Sequence, residues 1–510
     1  MSESNKGKSS FPRVAIIGGG LGGTAAAVYL RRAKITNFTI FEKSEGPGGV
    51  WWDNTYPGAE VDTASHMYSY SFSSYAWSAT HASRRELQQY VEDTIDQFGL
   101  RDHYRFAAEV VSTLWDDSRS QYSVTLADGK QEWFDFVISA VGLLSVPMIP
   151  AQLDLASFAG RIFHTSRWDH EYDFAGKRVA VVGTGSTAIQ VVPALADMCG
   201  QLYVFQREPG WIMPKKVTVY SETEKIRAQR PLTYKIQRIK TYMWRHRARG
   251  PKSFREGTKQ NLQARDQARA FIERELGDRP DLMQLVTPTY PYGGKRPVSG
   301  KPEYYQAFKR DNVKLVPEAV ASAHDNVIVT TAGSEFEVDA IVLATGFRTT
   351  DFLSSFTLRG TDQVVQDFWA GEPAAYLGIT IPTFPNFFML YGPNTNGMGL
   401  MFMLERQADY AVRSIKASMR HGNRPIDVSR RAYDRYNEWL EKRLKNTVWA
   451  TVNNYFKTAS GRIVTQFPEG LPTYWLFTKT LRGVSSRFLK RNDPADSASN
   501  IVGETHSASM

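Results

Sequence analysis

Two glycine-rich motifs, each between a short apolar strand pattern and a helix pattern, restrict this sequence to a small group of folds. The first is GGGLGG at residues 18–23, which follows the apolar stretch 13–17 and fits G-x-G-x-x-G. The second is GTGSTA at residues 183–188, which follows the apolar stretch 177–182. Glycines at such a turn let the main chain approach a pyrophosphate at the helix N-terminus. Two such units predict an α/β fold with two Rossmann-like dinucleotide-binding domains.

The residue after the next strand differs between the two units. In the first unit the strand 38–41 leads to Glu42, and in the second the strand 202–205 leads to Arg207. Each residue lies 24 positions after the first glycine of its motif. A carboxylate accepts hydrogen bonds from a ribose diol but repels a 2′-phosphate, which a guanidinium binds. The first site is therefore predicted to bind FAD or NAD, and the second NADP(H), unless Arg207 is merely exposed at a strand end.

Two dinucleotide sites predict electron transfer from a nicotinamide to a flavin, so the question is what accepts the electrons. The single cysteine, Cys199, excludes the cysteine pair of a disulfide reductase. The nine histidines form no HExxH motif, no metal site is expected, and no G-x-S-x-G nucleophile motif occurs. Dioxygen remains the obvious acceptor.

The net charge of +10 raises nucleic acid or an anionic membrane as partners. The excess is confined to residues 215–296, which hold 20 Lys and Arg against 8 Asp and Glu. Residues 222–276 within this segment predict helix, because Ile236, Ile239 and Met243 recur at spacings of three and four. We interpret the segment as a basic helical insert whose cations are either solvated or close to an anionic ligand. It resembles no nucleic-acid module, so no nucleic-acid partner is expected.

Two long signatures connect the sequence to a known family. Residues 158–169, FAGRIFHTSRWD, fit F-x-G-x-x-x-H-x-x-x-W-[PD] at every specified position. Residues 48–62 fit [AG]-G-x-W-x-x-x-x-[FY]-P-[GM]-x-x-x-D. From about residue 10 to about residue 485 the chain resembles the type I, FAD- and NADPH-dependent Baeyer–Villiger monooxygenases of the flavin-containing monooxygenase superfamily.

The resemblance implies a ketone substrate, dioxygen, FAD and NADPH, with an ester or lactone formed through a C4a-peroxyflavin. The alternative is a flavin monooxygenase that oxygenates nitrogen or sulfur. The signature that ends in Trp168 and Asp169 disfavours it, because the heteroatom group has a shorter related motif. A basic non-catalytic protein that binds nucleic acid or a membrane surface is an alternative from a different class.

The resemblance also assigns roles to individual residues. The segment 290–297, YPYGGKRP, is similar to the family segment with the active-site arginine, so Arg296 is expected to stabilise the peroxyflavin anion. Asp62 is expected to lie near the flavin and position this arginine. Lys295 is expected to meet the NADP 2′-phosphate together with Arg207.

His164 and Trp168 belong to the signature at the junction of the FAD and NADP domains. We expect His164 to orient this junction, with acid–base catalysis as the alternative. Residues 341–347 and 390–396 resemble the crossing strand and the FAD-contacting return strand of two-dinucleotide flavoproteins.

The residues expected to contact the cofactors lie in the glycine motifs, the signatures or the return strand. They are Gly18, Gly20, Gly23, Glu42, Gly49, Trp51, Asp53, Tyr68, Gly183, Gly185, Ser186, Thr187, Arg207, Lys295 and Asn394.

Three positions depart from the family pattern. Glu60 and Val61 stand where arginine and cysteine are common, and Tyr455 stands where the mobile C-terminal loop often has a tryptophan. Tyr455 is the residue of this loop that we expect to meet substrate or cofactor. The reaction class survives these changes, while substrate scope and coupling efficiency depend on them.

The proposed layout has an FAD domain, an NADP domain that contains the helical insert, and two polar tails. Their ranges are 10–150 and 375–510 for FAD, 151–213 and 297–374 for NADP, 214–296 for the insert, and 1–9 and 491–510 for the tails. No apolar run approaches the roughly 20 residues that span a bilayer, so no stable membrane insertion is expected. The polar start lacks a secretory signal, and a cytoplasmic monomer or weak oligomer is expected.

Overall fold

The computed structural model describes residues 11–397 and 399–491, with only the main chain described at residues 248 and 249. The predicted tail 1–9, and all but the first residue of the predicted tail 491–510, lie outside the described residues.

The described residues form strands distributed over the whole chain. In chain order they are β1 (Val14–Ile17), β2 (Phe38–Phe41), β3 (Tyr104–Arg105), β4 (Val110–Asp116), β5 (Gln121–Leu126), β6 (Gln131–Phe134), β7 (Phe136–Ser139), β8 (Asp154–Phe158), β9 (Arg161–His164), β10 (Arg178–Val182), β11 (Gln201–Phe205), β12 (Ile212–Pro214), β13 (Val298–Gly300), β14 (Val313–Val316), β15 (Val320–Asp325), β16 (Val327–Thr330), β17 (Glu335–Glu337), β18 (Ala340–Leu343), β19 (Thr357–Arg359), β20 (Phe387–Met389), β21 (Ile426–Val428) and β22 (Ser486–Phe488).

The helices lie singly or in groups between these strands. They are α1 (Leu21–Arg32), α2 (Val50–Asp53), α3 (Arg84–Gln97), α4 (Ser186–Met198), α5 (Glu222–Gln229), α6 (Pro231–Arg249), α7 (Lys259–Leu276), α8 (Pro280–Val286), α9 (Glu303–Ala307), α10 (Val365–Trp369), α11 (Leu400–Arg420), α12 (Arg430–Leu444), α13 (Val448–Thr451), α14 (Leu471–Thr480) and α15 (Arg482–Ser485), with 3₁₀ turns at Arg101–His103, Thr165–Arg167 and Pro251–Phe254. Within the described residues no helix has the length and apolar character needed to cross a bilayer.

Two five-stranded parallel sheets organise the molecule. The first has the strand order β20-β7-β1-β2-β3 and the second β14-β11-β10-β18-β9. In each sheet the strand that precedes a glycine-rich motif, β1 or β10, lies in the middle and is paired on both sides. Both central strands are almost entirely buried, as expected of parallel strands covered on two faces by helices. The α/β class with two Rossmann-like units is confirmed.

The chain passes between the two units twice, and the two passages lie side by side. Pro147 and Phe347 form an antiparallel bridge. The amide of Met148 donates to the Gly346 carbonyl at 2.8 Å, and the amide of Arg348 donates to the Val146 carbonyl at 3.0 Å. A short two-stranded connection therefore joins the units.

The second passage returns the chain to the first unit earlier than residue 375, the boundary proposed from the sequence. β19 pairs with β4, which precedes the first passage, and Phe352 and Leu358 are buried in the same core as Ile17. The sequence interpretation placed the boundary by motif position, whereas strand pairing and burial place residues 352–374 with the first unit.

The basic insert forms α5 to α8 between the paired strands β12 and β13. Helix α6 is present as predicted, but Ile236, Ile239 and Met243, which indicated it, are exposed. The buried face of α6 consists of Tyr234 and Arg238 instead. The spacing of the apolar residues therefore predicts the helix correctly, but these residues are not the ones that pack against the rest of the protein.

Candidate functional site

The first glycine motif makes close main-chain contacts that other residues could not make. Gly18 has φ +103°, and a Cβ there would lie 2.6 Å from the Ala140 carbonyl oxygen. A Cβ at Gly23 would lie 2.0 Å from the Gly18 oxygen. Gly20 bridges to Gly48 in the signature segment that precedes α2. Glycine is thus required here for packing of the turn against β7 and α2.

Glu42 lies at the end of β2 beside this turn, as predicted. Its Oε2 accepts a hydrogen bond from the Gly19 amide at 2.7 Å, and its Oε1 accepts one from the Ser44 amide at 2.9 Å. Burial raises the pKa of Glu42, and these two amides offset part of that effect. The two amides therefore hold the Glu42 carboxylate beside the turn of the first glycine motif.

The second glycine motif has the same turn but an open approach. Gly183 has φ +113°, and a Cβ there would lie 2.7 Å from the Ala344 oxygen, which matches Gly18 beside Ala140. A Cβ at Gly185 would meet no atom within 4 Å. The packing of the protein therefore does not require this glycine, whereas a pyrophosphate at the N-terminus of α4 would.

The two cations expected at the NADP 2′-phosphate lie near each other. Lys295 forms an ion pair with Glu208, the neighbour of Arg207, and Arg207 is exposed beyond the end of β11. Glu208 was not identified from the sequence. Its carboxylate occupies the Lys295 ammonium that was expected to meet the phosphate.

A cavity of about 440 Å³ lies between the two glycine motifs. Its walls come from the first unit, the N-terminus of α4, the insert and the C-terminal segment. Of the predicted residues, the lining includes Gly18, Gly20, Glu42, Gly49, Trp51, Asp53, Asp62, Tyr68, Ser186, Thr187 and Arg296. It does not include Gly23, Gly183, Gly185, Arg207, Lys295, Asn394 or Tyr455.

Arg296 and Asp62 form an ion pair in this cavity, with Nη2 and Oδ2 2.9 Å apart. Burial alone would raise the pKa of Asp62, but Arg296, Arg245 and Lys215 together hold it below its usual value. The Asp62 carboxylate raises the pKa of Arg296, although burial opposes this. Both groups are therefore charged at neutral pH.

Arg245 is a cavity residue that the sequence interpretation did not single out. It lies on α6, lines the cavity and acts electrostatically on Asp62. The sequence did not distinguish Arg245 from its neighbours, because the same run of basic residues also contains exposed cations such as Lys240.

Two tyrosines from the C-terminal part of the chain, Tyr391 and Tyr455, act electrostatically on Arg296. Burial raises the pKa of Tyr455, and the nearby Arg296 opposes this effect. Tyr391 lines the cavity, and burial raises its pKa to about 12 against the influence of Arg296. Tyr391 lies in the predicted return strand but was not itself predicted as a site residue. Both hydroxyls stay neutral at physiological pH.

Trp51, Tyr68 and Asp53 form one wall of the cavity. The Trp51 indole Nε1 donates to the Tyr68 hydroxyl at 3.2 Å, and the two rings meet edge to face at 5.6 Å. Asp53 accepts a hydrogen bond from Ser44 at 3.1 Å. These contacts fix the aromatic wall before any ligand binds.

Glu60 is bound by two lysines from the NADP side. Its Oε1 lies 2.8 Å from Lys215 Nζ and its Oε2 lies 2.9 Å from Lys301 Nζ. Lys215 also donates to the Val61 carbonyl at 2.5 Å, and only 1% of its side chain is exposed. The departure at Glu60 thus creates a partly buried ion pair between the two units. Val61 is buried in the core of the first unit.

His164 bonds to both ends of the domain junction. The Ser166 amide donates to Nδ1 at 3.1 Å, so Nδ1 is unprotonated and the Nε2 proton is donated to the Gly346 carbonyl at 3.0 Å. Burial lowers the pKa of His164, which keeps this neutral tautomer. Trp168 packs between Phe163 and Phe174. His164 thus contacts the connection between the two units at Gly346, whereas Trp168 packs against the core of the second unit.

Asn394 lies outside the cavity lining. Its Nδ2 donates to the carbonyls of Ile463 and Gln466 at 2.9 and 3.1 Å. The side chain therefore ties the return strand to the C-terminal loop, which in turn contributes Gln466 to the cavity.

Comparison with known proteins agrees with this geometry. Residues 11–232 match the flavin-binding monooxygenase-like family. A Baeyer–Villiger monooxygenase of Streptomyces coelicolor is 36% identical over 465 residues, covering 89% of this chain and 88% of the relative. One of Pseudomonas aeruginosa is 36% identical over 493 residues, covering 93% and 90%.

Solved structures superpose over nearly the whole chain. An oxidised steroid monooxygenase bound to NADP gives a TM-score of 0.83 at 29% identity, covering 94% of this chain and 99% of that one. OTEMO in complex with FAD and NADP gives 0.84 at 27% identity, covering 94% and 100%.

Proposed function

The chain is a Baeyer–Villiger monooxygenase of the flavin-binding monooxygenase-like family, and we propose that its cavity converts a small-molecule ketone into an ester or lactone around the Arg296–Asp62 pair. It is an FAD-dependent enzyme that uses NADPH. When bound, these cofactors deliver electrons and activated dioxygen to the cavity.

The first glycine turn and Glu42 would hold the FAD. Gly18 and Gly20 line the cavity at the N-terminus of α1, and the carboxylate of Glu42 would accept hydrogen bonds from the ribose. Trp51 and Tyr68 would border the flavin ring, since they form the aromatic wall of the same cavity.

The second turn would hold NADPH. The open space beside Gly185 accommodates the pyrophosphate, and Ser186 and Thr187 begin α4 at the cavity. Arg207 and Lys295 would bind the 2′-phosphate. This requires Lys295 to exchange Glu208 for the phosphate.

Arg296 supplies the fixed positive charge that the reaction needs. As the carbonyl carbon of the ketone becomes tetrahedral, negative charge develops on its oxygen, and a nearby guanidinium stabilises that charge. Asp62 holds Arg296 in the cavity through the 2.9 Å ion pair. This pair lies in the cavity that the first glycine motif and the N-terminus of α4 both line, and it is the observation that supports the proposal most strongly.

The partners of the enzyme follow from this chemistry. We propose a small-molecule ketone and dioxygen as co-substrates. We also propose that the enzyme is cytoplasmic and is a monomer or a weak oligomer. The oxygenation of nitrogen or sulfur as the main activity is not favoured by the relatives.

The proposal is tested by incubating the purified yellow holoenzyme with NADPH and a panel of cyclic, linear, aromatic and steroidal ketones. Product is scored by mass spectrometry as ester or lactone, because NADPH consumption alone also counts uncoupled oxidation. At least one ketone class should give an ester. A sulfide and a tertiary amine are assayed in parallel, and sulfoxide or N-oxide formation without ester from any ketone would contradict the proposal.

A further inference from the structure

Helix α6 presents an apolar stripe to solvent. Four apolar residues spaced at i, i+4, i+7 and i+11 form it: Leu232, Ile236, Ile239 and Met243, which are 72%, 45%, 59% and 50% exposed. In a helix with about 3.6 residues per turn this spacing places all four on one face. The stripe lies opposite the buried side chains of Tyr234 and Arg238.

The inward face of α6 is fixed by polar contacts, which leaves the stripe facing outward. Arg238 donates to the His66 carbonyl and to the Ser69 hydroxyl at 3.0 Å each. It also lies 3.7 Å from the buried carboxylate of Glu405 on α11. If α6 were rotated so that the stripe faced inward, the Arg238 guanidinium would lose these partners. The contacts of Arg238 therefore fix the orientation of the helix.

Cations flank the stripe on both sides. By the helical period, Lys235 lies on one side and Lys240 on the other, and both are exposed. The surrounding segment 215–296 contains 20 basic and 8 acidic residues. An apolar ridge with lysines along each edge matches a helix that lies in the interface of an anionic bilayer, where lysine stems extend toward the headgroups.

We propose that α6 docks this protein reversibly on an anionic membrane surface, with the stripe of Leu232, Ile236, Ile239 and Met243 in the boundary between headgroups and acyl chains. A second copy of the chain fits less well. A two-fold contact through the stripe would bring the flanking lysines of both copies together, and like charges repel. An anionic lipid surface supplies the opposite charge.

Docking would connect the membrane to the cavity through a single helix. Arg245 on α6 lines the cavity, whereas the stripe faces away from the protein body. The membrane surface would therefore lie one helix diameter from the proposed reaction site. This consequence rests on the proposed function, but the docking itself does not.

The test is co-sedimentation of the holoenzyme with vesicles of phosphatidylcholine alone and of an equimolar mixture with phosphatidylglycerol. Binding should require the anionic lipid and weaken as salt is added. Replacing Ile236, Ile239 and Met243 together by serine should abolish binding. Lys235→Gln and Lys240→Gln should each weaken it about fivefold.

The matched control is Val111→Ser, which removes an exposed apolar side chain from strand β4, outside the insert that contains α6. It should bind like the wild type, and thermal unfolding should confirm that every variant is folded. Failure of the wild type to bind the anionic vesicles would overturn the proposal, as would equal binding to both vesicle types. A dimer in sedimentation velocity that the serine variant dissociates would also overturn it, in favour of a second copy.

Discussion

Among single residues, Arg296 is the one that we predict to determine whether oxygen consumption leads to ester. Arg296→Ala removes the charge that stabilises the developing oxyanion but none of the proposed FAD contacts. We expect FAD to remain bound and NADPH oxidation to continue, while ester formation falls by about 10²- to 10³-fold. The measurement is ester yield per NADPH consumed.

The control for this change is Arg274→Ala, which removes an exposed arginine from α7 that pairs only locally with Glu275. Its yield should equal that of the wild type. Ester yield from Arg296→Ala within twofold of the wild type would remove Arg296 from the proposed reaction.

Arg207 is predicted to distinguish NADPH from NADH. A guanidinium that binds the 2′-phosphate contributes roughly 1.5 to 3 kcal/mol, so Arg207→Ala should raise the KM for NADPH about 10- to 100-fold. The KM for NADH, which has no 2′-phosphate, should change little. Equal changes in the KM for NADPH and the KM for NADH would show that another residue binds the 2′-phosphate.

Glu208→Gln provides the converse test at the same site. It removes the carboxylate that pairs with Lys295 in the structure, so Lys295 should be free to bind the phosphate. We expect the KM for NADPH to fall and that for NADH to stay constant. An increase in the NADPH value would show that Glu208 supports the site.

The Asp62–Arg296 pair should stabilise the fold in a pH-dependent way. Because the folded pKa of Asp62 lies below its usual value, the stabilisation is complete above the unfolded pKa of about 3.9. It is lost as pH falls through the lower folded pKa. The difference in unfolding temperature between the wild type and Asp62→Asn should therefore be constant from neutral pH to about pH 5 and narrow below about pH 4. If this difference in unfolding temperature narrowed already near pH 6 to 7, the pKa of Asp62 in the folded protein would be raised and not lowered.

At the scale of elements, the paired strands β12 and β13 carry Lys215 and Lys301 to opposite oxygens of Glu60. Glu60→Gln leaves the buried Lys215 ammonium without its carboxylate. Removing one partner of a buried pair costs about 3 to 5 kcal/mol, and we expect the free energy of unfolding to fall by about 3 kcal/mol because Glu60 is itself slightly exposed. Urea unfolding measures this change.

Lys301 is the matched control because it contacts the same carboxylate from a more exposed position. Lys301→Met should cost less than about 1 kcal/mol. Adding Lys215→Met to Glu60→Gln should recover part of the lost stability, because the uncompensated charge is then gone. If the double variant did not regain stability, the loss of stability in Glu60→Gln would be due to altered packing and not to the uncompensated charge of Lys215.

The strands and helices around the glycine motifs could be predicted from the sequence, while the orientation of α6 could not. β2 begins and ends at the predicted residues Phe38 and Phe41, because its pattern depends on local burial. The inward face of α6 is set by Glu405 and Ser69, which lie far away in the chain. Apolar spacing alone contains no information about such partners.

At the scale of the whole molecule, the same turn occurs twice, with Gly18 against Ala140 and Gly183 against Ala344. The two fingerprints therefore predicted both units of the fold. The cavity between them was predictable only in part. The second signature points to Asp62, the segment 290–297 to Arg296, and the return-strand segment contains Tyr391 without distinguishing it. Arg245 reaches the cavity from a run of basic residues in which no local pattern distinguishes it.

The two units meet at a narrow connection that contains Gly346 and Phe347, and His164 bonds to Gly346. The Arg296–Asp62 pair and the two Glu60 pairs join the units at a second place. The cavity is therefore assembled only when both units are correctly placed. Its proposed chemistry is a property of the whole chain.

We propose that this cavity inserts one atom of dioxygen next to a ketone carbonyl. Mass spectrometry of the product formed from a ketone, NADPH and isotopically labelled dioxygen measures this insertion. We expect the wild type to give an ester or lactone that contains one labelled oxygen atom, and Arg296→Ala to give essentially no ester. Unlabelled ester, or labelled ester at the wild-type level from Arg296→Ala, would contradict it.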